Sequence, residues 1–179
     1  MRIIAGSRRG HKLIGFEGDK IRPTTDRVKE SVFNLIQDYV ANSKVLDLFG
    51  GSGALAFEAL SRGAESAVIV DADAESINVI SKNAASLKFD RGVRILHITY
   101  QNFFKTNNEQ FDLIFLDPPY NKGYIEPVLE SIVKDCRLSE NGIILLESDG
   151  TDMHSDVEGL KILKQKKYGR SYITVYQRG

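Results

Sequence analysis

Cysteine is almost absent from this chain: Cys136 is the single thiol in 179 residues. One thiol excludes a disulfide framework and a cysteine-based zinc site. Long apolar runs are missing as well, and none approaches the roughly 18–20 residues of a membrane span. The first residues, Met1-Arg2-Ile3-Ile4-Ala5-Gly6-Ser7-Arg8-Arg9, lack the apolar centre of a secretory signal, so a cytosolic protein is expected. Net charge is also missing, because 24 Lys and Arg balance 24 Asp and Glu. What remains is 42% hydrophobic and 27% charged. That composition excludes disorder and fits one soluble globular domain.

A zero net charge argues against a polyanion partner only if the charges are mixed evenly, and here they are not. Residues 1–12 hold Arg2, Arg8, Arg9 and Lys12 and no acid. Residues 159–179 hold Lys161, Lys164, Lys166, Lys167, Arg170 and Arg178 and no acid. The stretch between them carries 14 basic residues against 24 acids, a net of −10. Basic clusters can be ordinary solvated surface or can face a polyanion.

The chain alternates short apolar runs with amphipathic segments. Strands are expected at 44–49, 66–71, 92–98, 111–117 and 142–147, with helices at 54–62, 74–87 and 124–136 between them. That rhythm predicts right-handed crossovers and a parallel sheet. Continuous apolar strands such as Phe111–Leu116 suit a sheet covered on both faces. At the end of the chain, 160–163 and 172–177 are strand-like without a helix between, which predicts an antiparallel hairpin and seven strands in all. Residues 1–42 form an N-terminal extension ahead of a core at 43–179, together one domain. In the extension, 2–5 and 12–16 suggest a small hairpin. Arg22-Pro23-Thr24-Thr25-Asp26 then opens a helix that Thr24 or Thr25 can cap, with Val28, Val32, Phe33, Ile36 and Val40 on one face.

In an open α/β sheet, ligands bind beyond the carboxyl ends of the strands. The first strand ends in Asp47-Leu48-Phe49-Gly50-Gly51-Ser52-Gly53. Glycines allow close backbone approach, and a helix start presents free N–H groups. The second strand ends at Asp71, 18 residues after Gly53, where a carboxylate can take two ribose hydroxyls. Together they predict an adenosine-type cofactor. The residue three after Gly53 is Ala56, so the loop alone does not exclude a nicotinamide dinucleotide. Asp47, placed to pair with a cofactor amino group, and the terminal hairpin favour S-adenosylmethionine.

The fourth strand ends in Asp117-Pro118-Pro119-Tyr120. An exocyclic base nitrogen is a poor nucleophile, because its lone pair is delocalised into the ring. Acceptors at its two N–H groups localise that pair. Asp117 can supply a carboxylate oxygen and Pro118 a carbonyl whose direction two prolines restrict. Tyr120 can stack on a base held out of its helix. Such a site needs positioning and no metal. His11, His97 and His154 show no ligand spacing, so no metal is expected.

On these residues the chain resembles the bacterial small-subunit (16S) ribosomal RNA guanine-N2 methyltransferase family. The likeness runs through Arg2 to Gly6, Arg9 to Leu13, Arg22 to Glu30, Asp47 to Leu55, Glu58 to Ala64, Asp117 to Tyr120 and Tyr176 to Arg178. It implies a class I S-adenosylmethionine-dependent, Rossmann-like α/β fold and methylation of a guanine 2-amino group in an assembled or assembling small-subunit particle. It implies a cofactor site of Asp47, Phe49, Gly50, Gly51, Ser52, Gly53, Asp71, Ala72 and Asp117. Where the family commonly has Asp or Asn for the adenine amino group, this chain reads Thr99-Tyr100-Gln101-Asn102-Phe103. Thr99, Asn102 or a backbone group then supplies that contact, and Phe103 either packs against the ring or belongs to the core. The catalytic set is Asp117, Pro118 and Tyr120. The RNA-facing set is Arg8, Arg9, Lys12, Arg22, Thr24, Thr25, Arg27, Tyr120 and Arg170, with Lys29 nearby. Both basic ends are expected on one surface around the mouth of the site, in a monomer with no membrane contact.

Three other readings stay open at this level. One is adenine-N6 or cytosine-N4 methylation of DNA or another RNA. Another is a nicotinamide-dependent oxidoreductase, which leaves the Asp-Pro-Pro-Tyr motif unexplained. The third is a non-catalytic RNA-binding assembly factor.

Overall fold

The structure, a computed structural model, describes residues 1–16, 26–89, 91–119, 122–149, 157–169 and 171–179. Its strands are β1 (Lys44–Asp47), β2 (Ser66–Asp71), β3 (Val93–His97), β4 (Phe111–Leu116), β5 (Leu138–Ser148), β6 (Leu160–Tyr168) and β7 (Ser171–Arg178). Its helices are α1 (Asp26–Leu35), α2 (Ala54–Ser61), α3 (Ala74–Leu87), α4 (Tyr100–Thr106) and α5 (Ile125–Lys134). None of the described helices is long and apolar enough to cross a membrane.

One seven-stranded sheet runs in the order β3-β2-β1-β4-β5-β7-β6. The first five strands are mutually parallel, and β7 pairs antiparallel with both β5 and β6. The C-terminal hairpin is therefore as expected, with its second strand inserted between β5 and β6. The strand sequence reverses direction between β1 and β4, which places the switch point at their carboxyl ends.

Alternate side chains of each strand feed two cores. Val45, Ile69, Leu113, Phe115, Ile143 and Leu145 pack with α1, α2 and α3 on one face. Leu46, Val68, Val70, Ile114, Leu116, Ile144 and Leu146 pack with α4 and α5 on the other. Burial on both sides explains why these strands show unbroken apolar runs rather than alternation.

Three local features differ from the sequence expectation. The N-terminal hairpin reduces to a single antiparallel bridge, Arg2 with Lys12, around a 3-10 turn at Gly6–Arg8. A helix, α4, occupies the segment after β3; the Thr99 hydroxyl caps it by accepting from the Asn102 amide at 3.3 Å. With seven residues and polar Gln101 and Asn102 in its first turn, α4 shows too little periodicity to be read in advance. β5 begins at Leu138, earlier than the apolar run, and its pairing with β4 is irregular between Phe111 and Leu113.

Candidate active site

Two of the acids singled out in the sequence, Asp47 and Asp117, meet a third, Glu147, at the switch point. Asp47 ends β1, Asp117 follows β4, and Glu147 lies near the end of β5. These three strands are neighbours in the sheet. Asp47 is 2% exposed and Glu147 8%. The Asp47 carboxylate accepts from the Ala56 amide in the first turn of α2, at 3.3 Å. Burial pushes its carboxyl up to about 7, and the negative charge of Asp71 adds to that. Asp117 keeps some contact with solvent along its residue, yet its carboxyl is enclosed. Burial first, then the charges of Glu147 and Asp47, hold it well above the usual carboxylate range. Pro118 is buried beside it and Pro119 is exposed.

The glycine turn follows from close contacts. Gly53 precedes α2 at φ +76°, and a Cβ there would lie 2.4 Å from the Phe57 ring. A Cβ on Gly50 would sit 2.4 Å from Ile69 Cγ2, so alanine at this position calls for a different neighbour than Ile69. The Gly53 amide closes the turn on the Gly50 carbonyl at 2.7 Å. Asp71 is aimed by two backbone donors, Gly51 N–H at 2.8 Å and Asp73 N–H at 2.9 Å. Those bonds orient its remaining lone pairs beyond the strand end. The next residue, Ala72, is exposed, and its carbonyl is held by His97 Nε2 at 3.1 Å.

An aromatic group flanks the cradle. Phe49 stacks on Tyr124 at 6.1 Å between ring centroids, and Tyr100 meets Phe49 at 5.9 Å and Tyr124 at 5.7 Å. All three rings are half-buried. Tyr100 and Tyr124 were not singled out from sequence, because they come together only when the starts of α4 and α5 reach the same strand ends.

S-adenosylmethionine carries a sulfonium and an ammonium on a nucleoside, and the side chains present fit each part. The acids of β1, β4 and β5 suit cationic groups, Asp71 suits ribose hydroxyls, and half-buried rings suit a flat base.

Some expected residues lie elsewhere. Phe103 is fully buried among Phe104 and Phe111, so it is core and offers no surface to a cofactor. Asn102 is exposed on α4. Lys29 is not an RNA-facing surface residue: it is 0% exposed, paired with Glu58 at 3.2 Å. Burial lowers its ammonium below the usual lysine range, and Glu58 opposes that. Its position in phase with buried Val32 and Phe33 of α1, and with buried Ile36 just beyond the helix, was the available signal.

Of the N-terminal arginines, Arg8 is held away from the cradle. Arg8 Nε donates to the carbonyl of Leu87, the last residue of α3, at 2.7 Å, and its guanidinium lies 5.2 Å over Phe89. The Arg8 amide donates to Ser61 Oγ at the end of α2. Those helix ends lie at the amino ends of the strands, away from the carboxyl-end cradle. Exposed Arg9 follows in the same turn, and exposed Lys12 lies further along the bridge. Arg27 is exposed on α1. Arg22, Thr24, Thr25, Tyr120 and Arg170 lie outside the described residues.

Asn83, also not singled out, ties the N-terminal segment to the cradle. Its Oδ1 accepts from the Ile14 amide at 2.7 Å. Its Nδ2 donates to the carbonyls of Ile14 at 3.0 Å and Ser52 at 2.9 Å. A polar side chain one turn from Ile80 and Leu87 on the buried side of α3 was its only trace in the sequence.

Comparison with known proteins agrees with this architecture. The family model described as "Conserved hypothetical protein 95" matches residues 1–177. The chain is 35% identical over 180 residues to ribosomal RNA small subunit methyltransferase D of Haemophilus influenzae, covering 99% of this chain and 93% of that one. It is 34% identical over 149 residues to the Escherichia coli (strain K12) protein of the same name, covering 83% and 75%. The solved structure of Escherichia coli yhhF, described as a candidate methyltransferase, superposes with a TM-score of 0.88 at 30% identity, covering 99% and 97%. The fold is that of class I S-adenosylmethionine-dependent methyltransferases. With its sheet order, acid-lined switch point and near full-length match, the chain belongs to the bacterial small-subunit ribosomal RNA methyltransferase family.

Proposed function

We propose that this protein methylates the exocyclic N2 of a guanine in small-subunit ribosomal RNA, within an assembled or assembling particle. The observation that carries the reading is Asp117-Pro118 at the end of β4, in the strand-end position between the Asp47 and Glu147 carboxylates. S-adenosylmethionine supplies a methyl group already activated on a sulfonium. Asp47, the turn of Gly50, Gly51, Ser52 and Gly53, and Asp71 hold that cofactor. The Asp117 carboxylate and Pro118 carbonyl accept from the two N–H groups of the guanine amine. Holding both hydrogens in fixed directions turns the nitrogen lone pair out of the ring and toward the methyl. The transferred product carries one proton too many. A carboxyl held above its usual range is a better acceptor for it than an ordinary exposed aspartate. Tyr120 stacks on the displaced base.

The test uses small-subunit particles and naked RNA from cells lacking this protein, incubated with labelled S-adenosylmethionine. Mass mapping of digested RNA is expected to show N2-methylguanosine at one site. Methyl on adenine N6 or cytosine N4 would replace the guanine assignment, and no transfer to ribosomal RNA would defeat the substrate class.

A further inference from the structure

The proposed reaction leaves β6 without a task. It is an edge strand, and Lys161, Lys164, Lys166 and Lys167 on it are all exposed. Register sorts them by face. Lys164 and Lys166 stand opposite Val175 and Ile173, which are buried on the α1 side of the sheet. Lys161 stands opposite Gln177 and shares that face. Lys164 Nζ reaches the Leu35 carbonyl at the end of α1, at 2.9 Å. Lys167 projects from the other face, 5.1 Å over the Tyr172 ring.

The stripe also has a direction. Tyr168 at the top of β6 pairs with Ser171, and Tyr172 pairs with Ser148 of β5. The stripe therefore climbs toward the same strand ends that carry Glu147 and Asp117. β6 and β4 are separated by three strand spacings, roughly 15 Å at about 4.8 Å each. About four stacked nucleotides at ~3.4 Å each cover that distance.

Lysine on an edge strand has a bland explanation, because charge there discourages pairing with another sheet. Either sign of charge serves that purpose. Here the sign is uniform: residues 159–179 contain no Asp or Glu, and the lysines occupy both faces of the strand. We propose that β6 is a phosphate-contact stripe that docks the backbone of structured RNA while the Asp117 end takes the base. This rests on the reading that the substrate is RNA.

The test is binding of the intact protein to small-subunit particles across a salt series. Lys161→Glu with Lys166→Glu keeps the edge charged but reverses the sign at those two positions, and spares Lys164 with its bond to α1. A Lys161→Gln, Lys166→Gln protein serves if the reversed one misfolds, and Lys134→Glu on α5 is the control. The stripe predicts about tenfold weaker binding at low salt and a log–log salt slope shallower by about 2, one for each phosphate that a lysine no longer neutralises. Cofactor affinity should be unchanged. Particle affinity and slope equal to wild type, in protein that still binds cofactor, would overturn the stripe and leave only edge protection. Wild-type protein that binds particles with the predicted slope but methylates none of their RNA would instead overturn the proposed function.

Discussion

Two groups of buried acids behave in opposite ways. Glu58, at 0% exposure, receives Lys29 Nζ at 3.2 Å, Arg62 Nε at 2.8 Å and the amides of Ile4 and Ala5 at 2.8 and 3.0 Å. Lys29 also donates to the Arg2 carbonyl. Every charge there has an opposite partner, and the outcome is mechanical: the N-terminal segment is fastened to α2. Burial instead raises the carboxyls of Asp47 and Asp117, and nearby acids add to it: Asp71 at Asp47, and Glu147 and then Asp47 at Asp117, while Asp47 accepts from the Ala56 amide at 3.3 Å. Buried charge with compensation holds a fold together, and buried acids held close to one another mark a candidate functional site. The clamp stabilises the fold, and the acid group costs it part of that stability.

The largest expected effect breaks the acid group at its reacting end. Asp117→Ala should lower methyl transfer by ~10³-fold or more, in line with removal of one preorganised polar contact at a reacting centre. RNA binding, measured separately by filter retention, should hold. Methylation near wild-type rate would remove Asp117 from its role.

Breaking the other group should cost stability instead of chemistry. Glu58→Ala strands Lys29 in the core and should destabilise the fold by about 3–5 kcal/mol. Urea unfolding reads this directly, and a change under about 1 kcal/mol would show that the clamp is dispensable.

The smallest effect sharpens the contrast. Asp47→Asn should weaken cofactor binding by about tenfold, the value of one charge-assisted contact. The same change should stabilise the free protein, and the sign depends on pH. The Asp47 carboxyl rises from an unfolded value near 4 to about 7 in the fold. The folded state therefore binds the proton more tightly. The cost of ionising it grows as pH climbs from about 4 to about 7 and is constant above. Thermal melts should show the Asn variant gaining at pH 8 and gaining nothing at pH 4. Wild-type cofactor affinity should fall as pH drops below about 7, because the protonated acid no longer attracts a cation. An Asn variant with the same pH profile would assign that titration elsewhere.

Much of the fold was legible because periodicity is local. Helix α3 and strand β2 begin and end where their patterns do, and Gly53, Asp71 and Asp117 mark strand ends within a few residues of chain. What escaped depended on long-range partners. Lys29 reads as a surface lysine until Glu58 is beside it, and Phe103 reads as either core or a ring for adenine until Phe104 and Phe111 enclose it. Arg8 reads as a phosphate contact until the end of α3 takes its Nε.

The sequence by itself determined the alternation of strands and helices, the glycine turn and the acids at strand ends, because each is written in neighbouring residues. It also showed the imbalance of charge hidden under a net of zero. Only the tertiary structure decided which charges face one another. That choice turns on distances between residues far apart in the chain. Those distances sent Lys29 and Glu58 into the core, gathered Asp47, Asp117 and Glu147 at one switch point, and left the lysines of β6 in a row on an open edge.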